Sequence, residues 1–137
     1  MESSGDAQIE LYRAAFKLAA AIAATAGDPA ATNKVYEESD TKVYDFMCKM
    51  IRYSDEQDVV GKAIWTSENG IAAPKDASIH DAGCGPGAVG KILHEHGYTN
   101  VHGSDASENY VEAAKKTGWY TDVKHIWMGT GSLDPSL

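Results

Sequence analysis

The sequence predicts a mixed α/β fold, with a short parallel sheet of about three strands preceded by N-terminal helices. Three observations carry that expectation. From Ile79 onward the 137-residue chain alternates strand-like and helix-like runs. The stretch "HDAGCGPGAVG", His80 to Gly90, concentrates glycine where the first strand must turn into a helix. Ahead of it lies alanine-rich, helix-forming composition punctuated by Gly and Pro. Two successive strand–helix units of this length imply right-handed crossovers, and hence parallel strands.

Bulk properties narrow the class. The length suits one small domain, and 43% hydrophobic with 23% charged residues is ordinary for a globular chain. A net charge of -8 argues against a nucleic-acid partner, because such proteins present a basic face. Two cysteines, Cys48 and Cys84, are too few for a disulfide framework, so the cytoplasm is the expected compartment, with organellar import as the alternative. The apolar run Ala14 to Ala26 is short of a membrane span and contains Lys17. Glu2, Asp6 and Glu10 precede it, unlike the basic start of a secretory signal.

The elements follow in order. Residues 1–33 read as an alanine-rich helix from Asp6 to Ala26 and a linker, "GDPAATN". Ile9, Tyr12, Phe16, Ala19 and Ala23 fall on one helical stripe. Residues 34–76 read as a helical segment running into a loop marked by Asn69-Gly70 and Pro74. The tripeptide KVY occurs in it at Lys34 and again at Lys42, too short a repeat to signal an array. Residues 77–137 hold the sheet. "SIHDAG" is the first strand, with Asp81 near its carboxyl end. "AVGKILHEH" is a helix stopped by Gly97. "NVHGSD" is the second strand, ending at Asp105. Ser107 then caps a helix whose Glu108 and whose Lys115 and Lys116 suit the two ends of its dipole. Gly118 ends that helix, and "VKHIWM" reads as the third strand.

Gly85, Gly87 and Gly90 formally fit G-x-G-x-x-G, with Asp105 about twenty residues on, as in a dinucleotide site. Two residues oppose that ligand. Pro86 removes a backbone N–H from the turn that would hold the pyrophosphate. Asp81 would set a carboxylate beside the phosphates. A cationic ligand removes both objections. S-adenosylmethionine carries an ammonium and a sulfonium, together with a ribose that suits a carboxylate at the end of the second strand.

"IHDAGCGPGAVG" followed by "VHGSDASENYVEAA" resembles the first two motifs of class I S-adenosylmethionine-dependent methyltransferases. "VYDFMCKMIRYSDEQDV" resembles a segment of the methyltransferase-like subfamily named after the Williams–Beuren region. The resemblance runs from about Val43 to the C-terminus. It implies a truncated Rossmann-like half-domain over residues 77–137 that binds S-adenosylmethionine or S-adenosylhomocysteine. Asp81, Gly83, Cys84, Gly85 and Gly87 would surround the methionine portion, Asp105 the ribose hydroxyls, and Ala106 the adenine. Tyr44 and Tyr53 would belong to a cover formed by residues 34–76. The chain departs from the family in three ways. His80 replaces an aliphatic residue in what the family makes a central strand, no acidic residue follows the third strand, and the fourth strand has no counterpart.

Other candidate residues have plainer readings. His94 and His96 point in different directions from one helix, so no metal site is expected. His80, His102 and His125 are expected to be hydrogen-bonded structural residues. Cys84 lacks the base partner a nucleophile needs. The tyrosines signal packing, and the acidic residues from Glu37 to Asp58 a solvated face. Two functions therefore stand side by side: a small-molecule methyltransferase completed by further elements, with its catalytic groups unassigned, or a catalytically silent subunit of an assembly. In either, another protein chain or a second copy is expected to cover the outer edge of the first strand.

Overall fold

A computed structural model of the chain describes residues 4–50, 59, 61–68 and 70–127. The fold divides into two compact units, Met1–Tyr53 and Ser54–Leu137.

The first unit is helical: α1 (Ser4–Ala24), α2 (Pro29–Glu38) and α3 (Thr41–Met50). Its core joins Ala15 and Leu18 of α1 to Met47 of α3, with Ile22, Val35, Val43, Tyr44 and Phe46 partly buried around them. The expected stripe on α1 is therefore corrected. Ile9 and Phe16 are 51% and 67% exposed, and the packed stripe is Ala15, Leu18 and Ile22, spaced three and four residues apart. Tyr12 instead lies edge-on to Phe46, with ring centroids 5.1 Å apart. The linker reading of Gly27 to Asn33 is corrected as well. Asp28 caps α2 by accepting the Ala31 N–H at 3.1 Å, and Pro29 takes the first helical position, where its missing N–H costs nothing. The turn between α1 and the cap is residues 25–27, with Gly27 at φ +89°.

The second unit carries the sheet. After a helical turn at residues 61–65, α4, come β1 (Ile79–Ala82), α5 (Ala88–Glu95), β2 (Val101–Asp105), α6 (Glu108–Thr117) and β3 (Asp122–His125). The order is β1-β2-β3 with both pairings parallel. This confirms a mixed α/β fold with a three-stranded parallel sheet, and the described residues contain six helices. No described helix is long and apolar enough to cross a membrane.

Because the chain steps in one direction across the sheet, right-handed crossovers put α5 and α6 on the same face. Leu93 of α5 packs with Tyr98, Val101 and Ile79. Val111 and Ala114 of α6 pack with Val123 and Cys84. Strand alternation then sends His80, Ala82, His102, Ser104, Asp122 and Lys124 to the face that α5 and α6 do not cover. His80 is exposed there, and among the described residues β1 is an edge of the sheet, as the three-strand reading expects. Two polar pairs form on that face. His80 Nε2 lies 2.8 Å from Ser104 Oγ, and His102 Nδ1 bonds to Asp122 across the register pair.

Candidate functional site at the strand ends

The loop from Gly83 to Gly87 links β1 to α5 and needs glycine at three points. Gly83, Gly85 and Gly87 have φ of +72°, +54° and +109°, a region that residues with a Cβ rarely adopt. The loop is held against β2 through its own amides. Gly83 and Cys84 both donate to the Ser104 carbonyl, at 2.8 and 2.9 Å, and Gly87 donates to the Cys84 carbonyl at 3.1 Å. Gly85 donates to Asp105 Oδ2 at 2.9 Å. Pro86 has no N–H to give. Every loop amide from Gly83 to Gly87 is thus engaged inside the protein, so the loop itself offers none to a phosphate.

Two carboxylates flank this loop. Asp105, at the end of β2, ties the loop to the start of α6: Oδ2 takes the Gly85 N–H and Oδ1 takes the Ser107 N–H at 2.9 Å. Asp81, on β1, accepts the Tyr120 hydroxyl proton at 2.7 Å. Burial pushes the Asp81 carboxyl above its ordinary value. The Tyr120 hydrogen bond and the nearby His80 oppose that shift, and the Asp105 charge adds to it. The surroundings are thus electronegative, the opposite of an anion site.

Cys84 is 7% exposed, and its thiol points at the Gly85 carbonyl at 3.4 Å. Burial, then the charges of Asp81 and Asp105, push that thiol up to about 12. A thiol so placed stays protonated at neutral pH, and its environment is the reverse of one that activates a nucleophile. Ala106 sits just past β2, where its carbonyl lies 2.8 Å from His125 Nε2. Ser107 occupies the N-cap of α6 and Gly118 its C-cap, with φ +72°. Tyr44 packs edge-on to Tyr36 within the first unit, ring centroids 5.9 Å apart. Tyr53 lies outside the described residues.

Sequence reasoning missed Tyr120. Its ring belongs to both core clusters of the second unit, and three glycines are shaped around it. A Cβ on Gly90 would lie 2.2 Å from the ring, and one on Gly103 or Gly87 would lie 3.2 Å from it. Its hydroxyl accepts the Gly90 N–H at 3.1 Å while donating to Asp81. No local signal marks this residue. "GWYTDV" reads as a helix stop before a strand, and only the folded register brings Tyr120 under α5.

No family model matches the chain, and neither a curated protein nor a solved structure matches it.

Proposed function

We propose that the β1–α5 loop and the end of β2 form a Rossmann-like site for S-adenosylmethionine or S-adenosylhomocysteine, so that the chain supplies the donor-holding part of a methyltransferase. The observation that carries this reading is the polarity of the loop. Its amides are consumed internally, and carboxylates stand at the ends of two adjacent parallel strands. Ligands of open α/β sheets bind at those strand ends. The loop therefore favours a ligand that brings positive charge and hydroxyls over one that brings phosphate.

The residues present fit such a ligand. A Cβ on Gly83 would meet nothing within 4 Å, so the backbone there is open to close approach. Each Asp105 oxygen accepts one amide in the protein and keeps a second lone pair for a ribose hydroxyl. Asp81 offers its charge to an ammonium, and Ala106 would border the adenine. Bound at this site, the cofactor supplies an electrophilic methyl group. The part played by this chain is to hold the donor in one orientation and to keep water from it, which is where catalysis of an in-line displacement chiefly lies. Nothing among the described residues assigns the acceptor or a catalytic base.

A second reading, a silent subunit in a larger assembly, draws on Tyr120. The packing of its ring accounts for glycine at positions 87, 90 and 103 with no ligand at all. The outer edge of β1, lined by backbone groups of Ile79–Ala82, would in that case receive a strand from another chain or a second copy.

Calorimetric titration with S-adenosylhomocysteine separates the two. Asp105→Ala is expected to weaken binding by about 1.5–3 kcal/mol, the range for hydrogen bonds to a charged group, while Cys84→Ala stays near wild type. Unchanged binding in Asp105→Ala, with its fold confirmed by circular dichroism, would rule out the proposed ribose contact.

A further inference from the structure

We infer that Tyr120 is a positioning residue of the proposed site, holding the Asp81 carboxylate in place for the ammonium group at the amino-acid end of the ligand. The inference rests on the cofactor reading above and adds a residue that reading does not contain. It stands on geometry. The hydroxyl of Tyr120 donates to Asp81 Oδ2 at 2.7 Å and accepts the Gly90 N–H at 3.1 Å. One oxygen thereby connects β1 to the first turn of α5, the two elements that bracket the glycine loop. The ring is closely held. It is wedged against Gly87, Gly90 and Gly103, where even a Cβ would fall 2.2–3.2 Å from it. A phenol fixed on three sides presents its O–H to the carboxylate at little further entropic cost, which is the condition for a precisely oriented polar contact.

Charge makes the contact useful. The groups facing Asp81 are His80 on its own strand, Cys84 in the loop, Asp105 at the end of β2 and Tyr120 ahead of β3. Burial and the Asp105 charge favour the neutral carboxyl, whereas the Tyr120 hydrogen bond and His80 favour the carboxylate. Tyr120 is therefore one of two groups that favour the ionised form of Asp81, and an ammonium is attracted only by that form. Loss of the hydroxyl should let Asp81 take up its proton at a higher pH.

The test compares two nucleosides. S-Adenosylhomocysteine carries the amino-acid chain; 5′-methylthioadenosine shares the adenine, ribose and thioether but lacks that chain. Calorimetric titrations of wild type and Tyr120→Phe at a series of pH values, from the ordinary carboxylate range upward, give affinities for both ligands as the raised Asp81 carboxyl titrates. Phenylalanine keeps the ring that the glycines enclose. The expected result is an affinity loss of about tenfold for S-adenosylhomocysteine in Tyr120→Phe, the size of one hydrogen bond to a charged group, with little change for methylthioadenosine. The acidic limb of the S-adenosylhomocysteine profile should also move to higher pH. An equal loss for both ligands, or no loss, would overturn the positioning role and leave the cofactor reading standing. If wild type binds neither nucleoside, the cofactor reading fails, and this inference fails with it. Should Tyr120→Phe not fold, Asp81→Asn keeps an acceptor for the hydroxyl and removes only the charge. It should show the same selective loss, and a retained preference for S-adenosylhomocysteine would overturn the inference.

Discussion

Asp81 carries a charge that folding has moved largely out of water, and the cost should be visible in stability. Burial raises its pKa above the ordinary 3.8 in the folded state, so the native protein binds that proton more tightly than the unfolded chain does. Stability contributed by this group is present at low pH. It declines as pH rises from 3.8 through the raised folded value, and is constant beyond it. Asp81→Asn escapes this titration while keeping an acceptor for Tyr120. The stability of Asp81→Asn relative to wild type is therefore expected to increase with pH over that window and then level off, measured by urea unfolding at a series of pH values. A difference independent of pH would mean that Asp81 titrates alike in the two states. At this scale the sequence was informative about Asp81, Asp105 and the three positive-φ glycines, because a glycine turn between a strand and a helix has few backbone solutions. It was silent about Tyr120, whose partners lie 39 and 30 positions away.

Among the elements, α5 shows how tertiary packing overrides local preference. A glycine at position 90, inside a helix, costs about 1 kcal/mol relative to alanine in an isolated helix. Here a Cβ would lie 2.2 Å from the Tyr120 ring, so the sign should reverse. Gly90→Ala is expected to destabilise by about 1–3 kcal/mol, the usual cost of overpacking. That cost should shrink in a Tyr120→Leu background, where the ring is gone. A double-mutant cycle in urea checks it, and an undiminished cost with leucine at position 120 would place the conflict elsewhere. The strand and helix order of the second unit was legible because 2.0 and 3.6 periodicities alternate there, with Gly97 and Gly118 as stops. The N-terminal helices were less so. An alanine-rich run offers nearly equal apolar stripes, and the one used, Ala15–Leu18–Ile22, is set by what α3 presents to it. Residues 29–33 were misread because Pro after Asp is a loop signal and a helix-start signal alike.

For the molecule as a whole, the division into two compact units makes a prediction about cooperativity. The helices α1, α2 and α3 lie in Met1–Tyr53, with a small described core of Ala15, Leu18 and Met47. All three tryptophans, Trp65, Trp119 and Trp127, lie in Ser54–Leu137. Far-UV circular dichroism, weighted toward the long N-terminal helices, is expected to be lost at lower urea than tryptophan fluorescence. Coincident transitions would show instead that the chain unfolds as one cooperative body. The α/β class was readable at this scale from the alternation of elements. The one-sided layering was not, since it depends on which direction each crossover steps across the sheet. The central claim, that the strand ends receive a nucleoside bearing an ammonium group rather than a dinucleotide, rests on loop amides already consumed within the fold and on the paired carboxylates. Thermal denaturation with each ligand tests it most directly. A ligand present at 100 times its dissociation constant adds about 2.7 kcal/mol to stability, enough for a clear rise in melting temperature. S-Adenosylmethionine or S-adenosylhomocysteine should produce that rise and NAD should not. A rise with NAD and none with either sulfur nucleoside would contradict the claim.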